Sequence, residues 1–114
     1  MNEFLVDRQD KDEVSCLYIK GYLDAHTAPK FEESLQILVD EKRYKIVVNF
    51  LDLNYISSAG LGVFMEFIEE VRNGDGDIKL ANMNTKVFKV FDLLGFPNLY
   101  EIFDTEEEAV KKFL

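Results

Sequence analysis

The chain has 114 residues, the size of one domain, and 47% of them are hydrophobic, which excludes a disordered chain. The 10 Phe and the absence of Trp predict a core built on phenylalanine. The net charge is −9, from 22 acidic and 13 basic residues. This balance argues against nucleic acid and against anionic membrane surfaces as partners, because both need basic patches.

Cysteine content and hydropathy predict the compartment. Cys16 is the single cysteine, so an internal disulfide is impossible and a reducing compartment fits. It lies in a predicted strand, where a small buried core residue is expected. No stretch has the pattern of a signal peptide, and no apolar run approaches the roughly 18 residues of a membrane span. We therefore expect a cytoplasmic protein with one domain over residues 1–114.

The first half of the chain predicts a hairpin, a helix and a central strand. Residues 3–8 and 14–20 are rich in strand formers and flank a polar turn, which predicts an antiparallel hairpin. Thr27 is the predicted N-cap of a helix that ends near residue 42. Residues 44–51 form the most apolar run and predict the central strand. The predicted core face of this helix consists of Phe31, Leu35, Leu38 and Val39.

The second helix is predicted over Val63 to Arg72. Its periodicity predicts a core stripe of Leu61, Phe64, Met65, Ile68 and Val71. On a helical wheel Val63 lies off this stripe and Phe67 lies at its border. One interpretation is a small exposed apolar patch beside Ser58 that docks a partner. The other is that a neighbouring loop or helix covers both residues.

The last third of the chain repeats the order of strand and helix. Residues 77–81 predict a strand, and Asn84 or Thr85 caps a third helix. Residues 99–103 predict a short strand, and a capping-box pattern at Thr105 starts a terminal helix. Alternating strands and helices require right-handed crossovers. The expected fold is therefore α/β, with a mixed, mostly parallel sheet and about four helices.

Two serines and two glycines occupy the turn between the central strand and the second helix. A hydroxyl of Ser57 or Ser58 can cap the first helical N–H groups. The free N–H groups and the positive end of the helix dipole also suit an anion there. Gly60 and Gly62 remove side chains from the first turn, which indicates that something approaches this backbone closely.

This turn also carries a family resemblance. Residues 55–62, Tyr-Ile-Ser-Ser-Ala-Gly-Leu-Gly, are similar to the phosphorylation-site loop of the STAS family, the anti-sigma-factor antagonists. Residues 21–29, Gly-Tyr-Leu-Asp-Ala-His-Thr-Ala-Pro, resemble the loop before the family's first helix. Residues 47–53 and 105–109 resemble further segments in the same order. The resemblance implies one STAS-type domain over nearly the whole chain.

The resemblance also implies a function. In the family, a partner kinase phosphorylates the serine two residues before the first glycine, which is Ser58 here. Members that regulate sigma factors often have Asp just before it, whereas this chain has Ser57, the less favoured phosphosite. The implied protein is a non-enzymatic partner switch without cofactor or metal. Its unmodified form binds a serine-kinase anti-sigma factor and frees the sigma factor, and a PP2C-type phosphatase resets it. The expected partner-binding residues are Asp24, His26, Ser57, Ser58, Gly60, Val63 and Phe67.

Three alternatives remain from the sequence. Asp52 follows an apolar strand, as the phosphorylated Asp of a receiver domain does, although the acidic pair that holds Mg²⁺ there has only Asp7 as a counterpart. Ser58, His26 and Asp24 could form a hydrolase triad, although the Gly-x-Ser-x-Gly elbow is absent. A STAS scaffold in a larger, non-transcriptional assembly is the third.

Overall fold

A hairpin followed by alternating helices and strands makes up residues 3–114, the residues that the structure, a computed structural model, describes. The strands are β1 (Phe4–Lys11), β2 (Val14–Leu23), β3 (Lys45–Ile56), β4 (Asp77–Ala81) and β5 (Ile102–Phe103). The helices are α1 (Ala28–Asp40), α2 (Ser58–Asn73), α3 (Thr85–Leu93) and α4 (Glu106–Lys111), and a 3-10 helix covers Phe96–Asn98. None of these helices is long and apolar enough to cross a membrane.

The five strands form one sheet in the order β1-β2-β3-β4-β5. β1 is antiparallel to β2 and the other neighbours are parallel, which confirms the predicted hairpin, the mixed sheet and the central position of β3. The register of β2 and β3 runs from Val14 opposite Lys45 to Leu23 opposite Ile56. The two strands therefore end side by side, and the loops that follow them leave the same edge of the sheet.

The helices lie on both faces of the sheet, because alternate strand residues point to opposite sides. α1, α2 and α3 cover the larger core, which contains the buried aromatic residues Phe31, Phe50, Phe64 and Phe91. The ring centroids of Phe31 and Phe64 are 5.0 Å apart, and those of Phe50 and Phe91 are 5.4 Å apart. The predicted phenylalanine core is thus confirmed. α4 covers a smaller core on the other face, which contains Val14, Cys16, Val47, Ala81 and Ala109.

A polar cluster fixes α4 to the sheet. The Glu106 carboxylate accepts hydrogen bonds from Tyr18 Oη at 2.9 Å and Asn49 Nδ2 at 3.0 Å, and it pairs with Lys11 Nζ. Burial raises the pKa of Glu106, but the hydrogen bonds from Lys11, Asn49 and Tyr18 outweigh burial and hold it below its usual value. These bonds explain why the central strand carries a polar residue at the buried position 49.

Several predicted boundaries were wrong. β3 continues to Ile56, beyond the predicted end at residue 51. The Asn49 side chain accepts the N–H of Leu51 at 2.8 Å, and the register with β2 shifts here, so the strand passes through an irregularity without ending. α2 begins at Ser58, ahead of the predicted Val63, and β5 is shorter than predicted because the 3-10 helix precedes it.

Candidate functional site

The two serines of the β3–α2 turn have different roles. Ser57 is the N-cap of α2, with extended backbone angles, and its hydroxyl accepts the Gly60 N–H at 3.4 Å. Ser58 is the first helical residue and is exposed. Its hydroxyl makes no side-chain hydrogen bond with any other residue in 3–114. The capping role therefore falls to Ser57, and the Ser58 hydroxyl stays accessible.

The electrostatics of this turn favour a negative group on Ser58. α2 has 16 residues, and its first turn contains no acidic residue. The unpaired N–H groups and the positive end of the dipole are therefore not compensated by a carboxylate from within that turn. A phosphate on Ser58 would be tolerated by the domain itself.

The loop that follows β2 lies directly against this turn. The backbone N–H of Ser57 donates a hydrogen bond of 2.9 Å to the carbonyl oxygen of Leu23. Thr27 occupies the N-cap position of α1, as predicted, but its hydroxyl does not cap the helix. It donates to the carbonyl oxygen of Tyr22 at 2.7 Å and accepts the N–H of Asp24 at 3.0 Å. The loop is thereby closed on itself beside Ser57.

The structure brings Asp24 and His26 to the predicted edge but not into a triad. Asp24 Oδ1 accepts the backbone N–H groups of His26 at 2.9 Å and Thr27 at 3.1 Å. The His26 side chain is exposed and has no hydrogen bond with the Asp24 carboxylate or the Ser58 hydroxyl. The carboxylate thus shapes the loop, and the arrangement needed to activate Ser58 as a nucleophile is not formed.

The two glycines of α2 face different surroundings. A Cβ on Gly60 would lie 2.8 Å from Leu23 Cγ and 2.9 Å from the Leu23 carbonyl oxygen. The close approach predicted from the sequence is therefore made by the domain's own β2, and Gly60 is buried. A Cβ on Gly62 would meet nothing within 4 Å, so Gly62 is the glycine that leaves an open surface beside Ser58.

The interpretation of Val63 and Phe67 as an exposed apolar patch was wrong. Val63 is 5% exposed and Phe67 is 3% exposed, whereas Met65, predicted to be core, is 47% exposed. α2 packs against α1 as well as the sheet, so a wider arc of the helix is buried than the predicted stripe. The alternative that a neighbouring element covers both residues is the one observed. The exposed residues of α2 nearest to Ser58 are Ala59, Gly62, Met65 and Glu66.

The exposed face of α2 is bordered by acidic groups. Glu66 of α2 and Glu32 of α1 face each other across the groove between the two helices. The contact with the Glu32 carboxyl group raises the pKa of Glu66. The surface beside Ser58 is therefore negative on its α1 side before any modification.

Sequence reasoning missed two tyrosines next to the site. Tyr22 and Tyr55 are paired in the β2–β3 register, and their ring centroids are 5.9 Å apart. Both are exposed. Tyr22 lies two residues before Asp24, where one loop of the site begins, and Tyr55 lies two residues before Ser57, where the other begins. The sequence does indicate this position, because successive strand residues point to opposite faces of the sheet. Both tyrosines directly precede a core residue, so both point to the face opposite to that residue.

Asp52 does not have the setting that a receiver domain requires. It lies within β3, opposite Lys20, and the strand continues to Ile56, so the prediction that it ends the strand was wrong. Within residues 3–114, no three His, Cys, Asp or Glu side chains are grouped closely enough to hold one metal ion.

The sequence profile of the family described as "STAS domain" matches residues 6–109. This chain belongs to the STAS domain family. The match covers nearly the whole sheet, the β3–α2 turn and most of α4, so the STAS domain includes every residue of the site described above.

Similar proteins agree with this STAS assignment. An anti-sigma-B factor antagonist from Listeria monocytogenes is 26% identical over 103 residues, covering 90% of this chain and 90% of the relative. An anti-sigma factor antagonist from Mycobacterium paratuberculosis superposes with a TM-score of 0.89 at 19% identity, covering 96% of this chain and 93% of that chain. The Bacillus cell fate determinant SpoIIAA in its phosphorylated form superposes with a TM-score of 0.74 at 23% identity, covering 98% of this chain and 100% of that chain. The two structures support the fold.

Proposed function

We propose that this STAS domain is an anti-sigma-factor antagonist controlled by phosphorylation of Ser58. The observation that carries the proposal is the division of roles between the two serines. Ser57 caps α2 with its hydroxyl, so Ser58 presents an exposed hydroxyl at the positive end of the same helix. A kinase can modify Ser58 without removing a hydrogen bond that the fold uses.

In its unmodified form, the domain binds a serine-kinase anti-sigma factor and frees the sigma factor. The docking surface consists of the exposed first turns of α2, at Ser58, Ala59 and Gly62, together with the adjoining loop at Asp24 and His26. The hydrogen bond from Ser57 to Leu23 holds these two segments in one surface. The open space at Gly62 lets a partner approach the backbone of α2.

Phosphorylation by the bound kinase ends the complex. A phosphoserine adds a charge of about −1.5 to −2 and three acceptor oxygens to an interface that must be desolvated. The surface already contains acidic residues, and the helix N-terminus stabilises the new charge in the free domain. The switch therefore acts on binding, with little change in the fold. A PP2C-type phosphatase removes the phosphate.

The names of similar proteins support this assignment. The Listeria relative is named an anti-sigma-B factor antagonist, and SpoIIAA has been solved in a phosphorylated form. The receiver-like alternative at Asp52 would produce an acyl phosphate, which is labile to acid, whereas a phosphoserine survives it.

Incubation with the cognate anti-sigma factor kinase and ATP tests the proposal. Wild-type protein and Ser57→Ala should each gain one phosphate, which survives acid, and Ser58→Ala should gain none. Tandem mass spectrometry locates the phosphate. Calorimetric titration of the kinase should show binding to the unmodified domain and much weaker binding to the phosphorylated one. A phosphate on Ser57 or on Asp52, or equal binding of both forms, would contradict the proposal.

A further inference from the structure

A groove of about 710 Å³ runs along the outer edge of the sheet, away from the β3–α2 turn. The 3-10 helix, α3 and β5 form its walls. Its apolar lining includes Met83, Phe88, Leu99 and Ile102, and its charged lining includes Arg72 and Asp104. Phe88 is 37% exposed and Leu99 is 45% exposed, so large apolar side chains face solvent here.

The backbone of β5 presents unpaired groups to this groove. β5 is the last strand of the sheet. On its inner side, Glu101 O accepts the Leu80 N–H at 3.0 Å and Phe103 O accepts the Asn82 N–H at 3.2 Å. Successive backbone carbonyls of a strand point in opposite directions. The N–H and C=O of Ile102 therefore point outward, as a donor and acceptor pair that an added strand could use.

The charges around the groove favour a basic occupant. Arg72 is engaged, since Nε donates to Asp77 at 3.0 Å and the guanidinium also bonds the Leu99 carbonyl oxygen. Glu101 is paired with Lys79. Asp104 makes no ion pair within residues 3–114. The charge left uncompensated at the groove is thus negative.

We propose that the β5 groove binds an extended basic segment of another protein as a sixth strand. Its backbone pairs with Ile102, one apolar side chain packs between Phe88 and Leu99, and a Lys or Arg side chain pairs with Asp104. A second copy of this chain is disfavoured as the occupant, because it would bring another Asp104 and a further net charge of −9. The groove lies two strands from β3, so this surface is independent of the proposed phosphosite.

Synthetic peptides provide the direct test. The probes are acetylated and amidated Lys-Val-Leu-Val-Lys and its matched control Glu-Val-Leu-Val-Glu, titrated into isotope-labelled wild-type protein. The basic peptide should shift the amide signals of Ile102, Phe88 and Leu99, and it should bind about tenfold more tightly than the acidic one. Asp104→Asn should remove most of this difference. Failure of the basic peptide to bind, or binding that shifts other regions only, would overturn the proposal.

Backbone pairing can be tested without altering the protein. Two versions of the basic peptide are compared, one N-methylated at its odd-numbered residues and the other at its even-numbered residues. One version should lose binding and the other should keep it, because only one of the two sets of N–H groups faces β5. On the protein side, Ile102→Pro removes the outward N–H, and proline is tolerated at a sheet edge. Its control is Ile102→Ala, which also shortens the side chain but keeps the N–H. Binding should fall about tenfold in the proline variant relative to the alanine variant.

Two results of these experiments would reject the proposed occupant, a basic segment of another protein that adds a strand. One is equal binding of both N-methylated peptides, since this would show side-chain contact alone. The other is a concentration-dependent dimer in sedimentation that the basic peptide dissociates. That result would identify a second copy as the natural occupant.

Discussion

The carbonyl oxygen of Leu23, at the end of β2, accepts the N–H of Ser57, directly after β3, over 2.9 Å. The same leucine lies beneath the first turn of α2, where its Cγ would be 2.8 Å from a Cβ at position 60. Leu23 thus links the loop that contains Asp24 to the turn that contains Ser58. A partner meets these segments as one preformed surface, which limits the ordering cost of binding.

The two glycines of α2 should respond oppositely to alanine. Gly60→Ala forces a methyl group against Leu23, including its backbone oxygen, and should lower the free energy of unfolding by about 1–3 kcal/mol. Gly62→Ala adds a methyl group in open space and should raise it by about 0.5–1 kcal/mol through helix propensity. Urea denaturation of both variants measures the difference. Equal effects would show that Leu23 moves aside.

Alanine substitutions of Ser57 and Ser58 should differ in their effect on stability as well as in their effect on phosphorylation. Ser57→Ala removes the cap of α2 and should cost about 1 kcal/mol. Ser58→Ala changes an exposed residue without a side-chain hydrogen bond and should stay within about 0.5 kcal/mol of wild type. Thermal melts of the two variants compare them. A larger loss of stability in Ser58→Ala than in Ser57→Ala would show that Ser58 caps α2.

Ser58→Asp isolates the effect of charge on binding. A carboxylate near an exposed helix N-terminus is stabilising by about 0.3–1 kcal/mol, so the melting temperature should stay close to or slightly above that of wild type. Affinity for the anti-sigma factor kinase should fall, because the new charge enters a surface bordered by Glu66. Ser58→Asn is the neutral control of similar size, and it should bind more tightly than the aspartate. Equal titrations for Asp and Asn would exclude repulsion as the cause.

The topology followed from local patterns that the structure preserves. The polar turn between two strand-forming runs predicted the antiparallel β1–β2 hairpin, and the apolar run from residue 44 predicted the central strand. Turn residues and caps located α3 and α4, where Asn84 and Thr105 accept N–H groups with their side chains. These features depend on residues close together in the chain, so sequence alone can predict them.

The errors came from contacts between distant parts of the chain. The wheel placed Val63 off the core stripe and Phe67 at its border because it was oriented to one sheet face, while α1 covers a second side of α2. The partner of the buried Asn49 side chain is Glu106, 57 positions later, so no local pattern predicts it. Both features depend on tertiary packing that periodicity does not encode.

A pair of substitutions distinguishes the docking surface from the core. Val63→Asp places a charge among buried apolar residues and should lower stability by several kcal/mol, of the order that an unpaired buried polar group costs. Gly62→Gln places a long side chain on the exposed face and should leave the melt near wild type while weakening kinase binding. A thermal melt paired with a titration tests both variants. Unchanged binding in Gly62→Gln would move the docking surface to the loop at Asp24 and His26.

The attachment of α4 should depend on pH through Glu106. The pKa of the Glu106 carboxyl group is lower in the folded state than in the unfolded chain. The carboxylate therefore stabilises the fold fully above its unfolded-state pKa, which is about 4, and this stabilisation is lost as the pH falls through the folded-state pKa. Glu106→Gln removes the charge but keeps the shape, and it weakens the bonds from Tyr18 and Lys11. The variant should be less stable than wild type by about 1–2 kcal/mol at pH 7.

The pH dependence distinguishes this charge effect from simple packing. Urea denaturation at pH 7 and at pH 3 should show the difference between wild type and Glu106→Gln shrinking at the lower pH, since pH 3 lies below the ordinary pKa of glutamate and protonation then favours the unfolded chain. Glu107→Gln is the matched control, because Glu107 is exposed on the same helical turn and its only ion pair among residues 3–114 is 4.0 Å long, with Lys111. It should stay within about 0.5 kcal/mol of wild type at both pH values. A Glu106→Gln difference of the same size at pH 3 and pH 7 would mean that shape, and not the charge of the carboxylate, holds α4 on the sheet.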